Sequence, residues 1–149
     1  MLNQDYKDIL LCLKKQNVKF ILVGAYAMAA HGYPRATGDI DIWVKADDEN
    51  AKLVKRALVE FGAPVLNVSE NDLAYSGNVL QIGVAPCRVD ILTAIDGVEF
   101  DDAWLNKKNV EVDGINIYVI SLDDLIKNKS ATGREKDKVD VSELNKIRG

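Results

Sequence analysis

The chain has 149 residues, 48% hydrophobic and 28% charged, with a net charge of −4. That length and composition suit one domain over residues 1–149 and are not those of a disordered tail. No apolar run is long enough to span a membrane, and the acidic balance argues against a general nucleic-acid binder.

The N-terminus, "MLNQDYKDILL", has no basic segment leading into an apolar stretch, so no signal peptide is read and a cytoplasmic location is expected. Cys12 and Cys87 are then expected to be reduced thiols. With one histidine, His31, they leave little from which to build a zinc site. Tyr6, Ile9, Leu10 and Leu13 recur at helical spacing, which predicts a helix over residues 4–16. "KFILV" (19–23) reads as a buried strand ending at Gly24, and "AYAMAAHG" as a helix stopping at Gly32. His31 falls at that helix end and is expected to anchor it. "YPRAT" is a loop.

"DIDIWV" (39–44) is the next strand. Side chains alternate along a strand, so Asp39 and Asp41 share one face with Trp43, while Ile40, Ile42 and Val44 face a core. Two like charges that close repel, so either this face looks into water or a cation belongs there. Trp43 would either stack a base or pack. Arg35, in the preceding loop, would either meet a phosphate or neutralise Asp39.

"DDENAKLVKRALVEFG" is a helix with acids in its first turn, an apolar stripe of Ala51, Val54, Leu58 and Phe61, and Gly62 as its stop. No element is assigned between Pro64 and Val79. "VLQIGV" (79–84) and "CRVDIL" (87–92) read as paired strands. Asp90 is one acid on an apolar strand, and with 87–92 beside 39–44 it would complete a group of three. "EFDDAWLNKK" reads as a short helix. Asp113-Gly114 marks the hairpin turn of "VEVDGINIYVI". Ser121 caps a helix through Lys129, and a last helix runs from about Arg134 to Lys146. The fold class is therefore α/β (α+β), with a mixed sheet flanked by helices. The 39–44 strand is expected in its middle, beside 19–23 and 87–92.

Three anions in one cleft call for cations. Oxygen ligands with few competing nitrogens or thiols suit Mg²⁺ or Mn²⁺, and paired metals organise phosphoryl displacement. Gly24 at a strand–helix junction lets the backbone approach a phosphate. Residues 127–148 carry seven basic and four acidic side chains, a local +3. Lys129 and Arg134 within them either serve an anion or form a solvated face. As exposed residues they would add little to stability, with Asp137 and Asp140 pairing them.

"ILVGAYAMAAHGYPRATGDIDIWV" followed by "RVDIL" resembles the nucleotidyltransferase superfamily of the DNA polymerase β type. "ISLDDLIKNKSATGREKDKVDV" is similar to the C-terminal stretch of small bacterial members, both the minimal ones and those like the AbiEii toxin. The resemblance implies transfer of a nucleoside monophosphate from an NTP, ATP in the first instance, to an acceptor hydroxyl on a protein, tRNA or small molecule. Asp39, Asp41 and Asp90 would be catalytic metal ligands for Mg²⁺ or Mn²⁺, and Asp90 would also help deprotonate the acceptor. Gly24 and Ala25 would line the triphosphate, with Arg35, Lys129 and Arg134 as further nucleotide contacts. Ala25 stands where the family has Gly or Ser, so a backbone N–H remains there without a hydroxyl. The resemblance also implies an alternative: a toxin–antitoxin component, or a nucleotide-binding module with weak or lost catalysis, acting by pairing with a partner protein.

Overall fold

A computed structural model describes residues 2–149. Its elements are α1 (Gln4–Lys15), β1 (Phe20–Val23), α2 (Gly24–Ala30), β2 (Asp39–Val44), α3 (Asp48–Phe61), α4 (Glu70–Ala74), β3 (Val79–Ile82), β4 (Arg88–Leu92), α5 (Phe100–Asn106), β5 (Lys108–Val112), β6 (Ile115–Val119), α6 (Leu122–Ala131) and α7 (Glu135–Arg148). The six strands form one mixed sheet in the order β3-β4-β2-β1-β6-β5. β2 runs antiparallel to β1 and parallel to β4, so it lies inside the sheet between the two strands expected beside it.

Local chemistry sets the element ends. Asn3, Asp47, Ser69 and Ser121 each cap a helix by accepting from a backbone N–H of its first turn. Gly62 closes α3 at φ 90°, a left-handed conformation that glycine adopts at low cost. α4 was not expected, although Ser69 and Asp72 form a complete capping box. β3 stops at Ile82, two residues short of the expected strand.

Alternation in β2 works as expected on the core side: Ile40, Ile42 and Val44 are fully buried. Tyr6, Ile9, Leu10 and Leu13 of α1 join them in the same core, and α1 packs against α3. The other face of β2 is divided. At one end Trp43 is buried and meets Phe100 of α5 edge to face, with centroids 5.0 Å apart. Trp43 therefore packs and offers no surface to a base. At the other end the strand presents Asp39 and Asp41 to a cavity that residues of α6 and α7 also line.

Asn50 ties the entry of β1 to the exit of β2. Its side chain accepts from Lys19 N (2.8 Å) and donates to Lys19 O (3.1 Å) and Lys45 O (2.9 Å). It is buried, so its removal strands backbone groups. Asn50→Ala is expected to cost about 1–3 kcal/mol in urea unfolding, with the folded far-UV spectrum retained.

Candidate active site

The site starts from strand register. β2 and β4 are parallel, with Asp39 opposite Arg88 and Asp41 opposite Asp90. Residues two apart on a strand share a face, so the four side chains form a square on one face of the sheet. One carboxylate oxygen from each of Asp39, Asp41 and Asp90 lies within 4.8 Å of the others. The square forms one wall of a cavity of about 610 Å³, whose lining includes Gly24, Ala25, Lys129, Arg134 and Lys136.

Each acid is held differently. Asp39 accepts from Thr37 Oγ1 at 2.9 Å. Arg88 bridges the square: Nη2 donates to Asp39 Oδ2 (2.5 Å) and Asp90 Oδ2 (3.1 Å), and Nε to Asp90 Oδ1 (3.0 Å). Asp41 receives no such fork. Burial first, then the charges of Asp39 and Asp90, push its carboxyl up to about 7. Gly24 makes room for it. At φ 71° a Cβ on residue 24 would fall on Asp41 Oδ2 and lie 3.0 Å from Cγ. The space beside Gly24 is thus used by a carboxylate of the square.

The basic side of the cavity is a buried network. Lys129 is 8% exposed, whereas Asp137 and Asp140 are fully buried. Lys129 Nζ donates to Asp137 Oδ1 at 3.1 Å and lies 3.5 Å from Asp140 Oδ2. Asp137 Oδ2 also accepts from Thr132 Oγ1 (2.6 Å) and Arg134 Nε (2.7 Å). Burial alone would raise the Asp137 carboxyl, but these donors outweigh it and hold the group at about 2. Arg35 Nη2 sits 3.3 Å from Asp140 Oδ2.

Three expectations change. Arg35 pairs with Asp140, and the cation on Asp39 is Arg88. Lys129 is not on a solvated face but is clamped between two buried acids. Arg134, more than half exposed, is not merely solvated either: its Nε donates to Asp137, three residues on. Asp137 and Asp140 do pair with these cations, and His31 Nε2 lies 2.7 Å from Ile120 O, an anchor rather than a base. Arg88 and Thr37 were missed. Alternation in "RVDIL" carried the signal for Arg88, which shares a face with Asp90.

Residues 2–148 match the profile of a family described as "Nucleotidyl transferase of unknown function (DUF2204)". The chain belongs to this nucleotidyl transferase family. No curated protein matches it. Among solved structures it is similar to TM1012 from Thermotoga maritima, assigned as a nucleotidyltransferase, at 24% identity and TM-score 0.61 over 98% of this chain and 96% of that one. It is also similar to the lincosamide antibiotic adenylyltransferase LnuA in its lincomycin-bound form (14% identity, TM-score 0.58, 99% and 98% covered). A third is ANT(2")-Ia in complex with adenylyl-2"-tobramycin (13% identity, TM-score 0.52, 97% of each chain). These likenesses show the nucleotidyltransferase fold.

Two outcomes follow from the geometry. An unfolded aspartate titrates near 3.8 and native Asp41 near about 7, so between these values the native state holds more protons. Stability contributed by Asp41 is therefore lost as pH rises from about 4 to about 7. Asp41→Asn is expected to remove that loss and raise the melting temperature at pH 8 by ~2–4 °C for each kcal/mol recovered, with a smaller gain at pH 5. Lys129→Ala leaves two buried acids short of a cation and is expected to cost about 3–5 kcal/mol. Arg134→Ala, at a side chain 57% exposed, should cost about 1 kcal/mol or less. Urea unfolding of both variants checks the order.

Proposed function

We propose that this protein transfers a nucleoside monophosphate from an NTP to an acceptor hydroxyl. The observation that carries the reading is the meeting of three carboxylates, within 4.8 Å, in a cavity that Lys129, Arg134 and Lys136 also line. A cavity lined by converging acids and by several cations suits a polyphosphate bound with divalent cations. The donor set on the acidic wall is all carboxylate oxygen, which fits Mg²⁺ or Mn²⁺. That the acids already hold a guanidinium is a second sign that the square stabilises positive charge.

Asp39, Asp41 and Asp90 are the residues that would hold the metal. Bound there, it supplies charge neutralisation to the phosphates and acidity to the acceptor hydroxyl. The chain's own residues do the rest. Lys129 lines the cavity and is fixed there by Asp137 and Asp140, so its position needs no reorganisation. Arg134 and Lys136 extend the cationic wall, and Gly24, Ala25 and Arg35 line the same space. The acceptor oxygen attacks the α-phosphorus, the bond to the β-phosphate oxygen breaks and pyrophosphate leaves. The hydroxyl proton goes to Asp90. Alignment and fixed charge account for most of the rate gain. ATP is the first nucleotide to test, since one structural neighbour is an adenylyltransferase and another holds an adenylyl-tobramycin. Their antibiotic substrates favour a small hydroxyl compound among the acceptors, ahead of a protein or tRNA.

Two labels separate the reaction types. Label from [α-³²P]ATP is expected to pass to the acceptor in Mg²⁺, and label from [γ-³²P]ATP to leave as pyrophosphate. The double variant Asp39→Asn, Asp41→Asn should lose the transfer while keeping its fold. Transfer of the γ label would mean a kinase. Nucleotide binding with no transfer to any hydroxyl compound, protein or tRNA fraction would leave a binding module.

A further inference from the structure

Three converging acids are accounted for by the proposed reaction, but an arginine standing among them is not. Arg88 takes up oxygens of two of the three acids, with Nε and Nη2 on Asp90 and Nη2 on Asp39. The contact is not a chance fold of a long side chain. Register places Arg88 opposite Asp39, and the Tyr6 hydroxyl is placed to donate to Arg88 O (3.0 Å) or Pro86 O (3.1 Å), fixing the start of β4. The Arg88 side chain is 34% exposed and lines the cavity, so its head has open space to move into.

A carboxylate oxygen receiving a guanidinium fork is not free to ligate an ion from the same side. Arg88 and a divalent ion therefore compete for Asp39 and Asp90. In the absence of the ion, Arg88 offsets the repulsion among the acids and keeps them converged. Once displaced, a guanidinium in this cavity needs an anion, and its planar fork matches phosphate oxygens.

Resting on the metal and nucleotide reading above, we propose that Arg88 is a resident counter-ion. It holds the metal-free acids together, yields Asp39 and Asp90 to the divalent ion, and passes its guanidinium to the phosphates of the nucleotide. Metal alone then binds weakly, because it must displace a bound cation and leave it unpaired. Metal with nucleotide binds well, because the displaced cation is paired again. Metal and nucleotide thus raise one another's affinity through Arg88, and the coupling is reciprocal.

The test is calorimetric titration of Mn²⁺ alone, and then of α,β-methylene-ATP in Mn²⁺, into the parent, Arg88→Gln, Arg88→Lys and Asp39→Asn. Arg88→Gln is expected to bind Mn²⁺ alone about ten-fold more tightly and the nucleotide about ten-fold more weakly than the parent. Arg88→Lys, which keeps the charge without the fork, should fall between. A residue that merely braced the fold would not move the two affinities in opposite directions. Equal or weaker Mn²⁺ binding in Arg88→Gln, beside Asp39-dependent binding in the parent, would overturn the proposal and leave the metal site standing. Mn²⁺ binding to neither protein would overturn both. Should Arg88→Gln fail to fold without metal, the parent answers directly through the ¹⁵N–¹H resonance of Arg88 Nε. It is expected to shift on Mg²⁺ addition, and a resonance unmoved at saturating Mg²⁺ would refute displacement.

Discussion

Repulsion among carboxylates on two adjacent parallel strands is the constraint around which the site is arranged. Asp39, Asp41 and Asp90 cannot all sit charged on one face of a sheet unless positive charge is brought to them. The fold brings it by two routes. Arg88 answers Asp39 and Asp90 from within the square. Lys129, arriving on α6, lowers the cost of charge on Asp41, which is nevertheless pushed well above the usual carboxylate range. The site is therefore electrostatically loaded before any ligand arrives, and ligand charge can be used to discharge it.

The buried ions on α6 and α7 serve the same end. A lysine clamped by two fully buried acids adds little to stability compared with a well-packed apolar pair. What it gives is a cation fixed in place at the cavity wall. α7 buries Asp137, Asp140 and Leu144, and so joins the domain largely through charge. Ala25, which has no hydroxyl to offer, lines the same cavity as these cations.

Much of this was legible in the sequence because it is local. Period-2 alternation separated Ile40 and Ile42 from Asp39 and Asp41, Asp113-Gly114 gave the β5–β6 turn, and Ser121 gave the start of α6. The convergence of Asp90 with the other two followed from resemblance and strand order, and the structure brings them together. Arg88 was not read because its role depends on cross-strand register, although its place beside Asp90 was visible. The pairing of Lys129 with Asp137 and Asp140 was read, but the burial of that clamp was hidden for a different reason. α7 has almost no apolar pattern, so nothing local indicates that Asp137 and Asp140 turn inward. Trp43 shows the same limit: alternation put it on the acidic face, but only α5, through Phe100, decides that this end of the face is packed.

The central claim is that the Asp39–Asp41–Asp90 face is a divalent-metal and nucleotide site. Crystals grown with Mn²⁺ and α,β-methylene-ATP test it most directly, by anomalous scattering at the manganese edge. The account predicts anomalous density between the three carboxylates, phosphates extending toward Lys129 and Arg134, and Arg88 released from Asp39. Manganese and nucleotide bound elsewhere, with Arg88 still bridging Asp39 and Asp90, would contradict it.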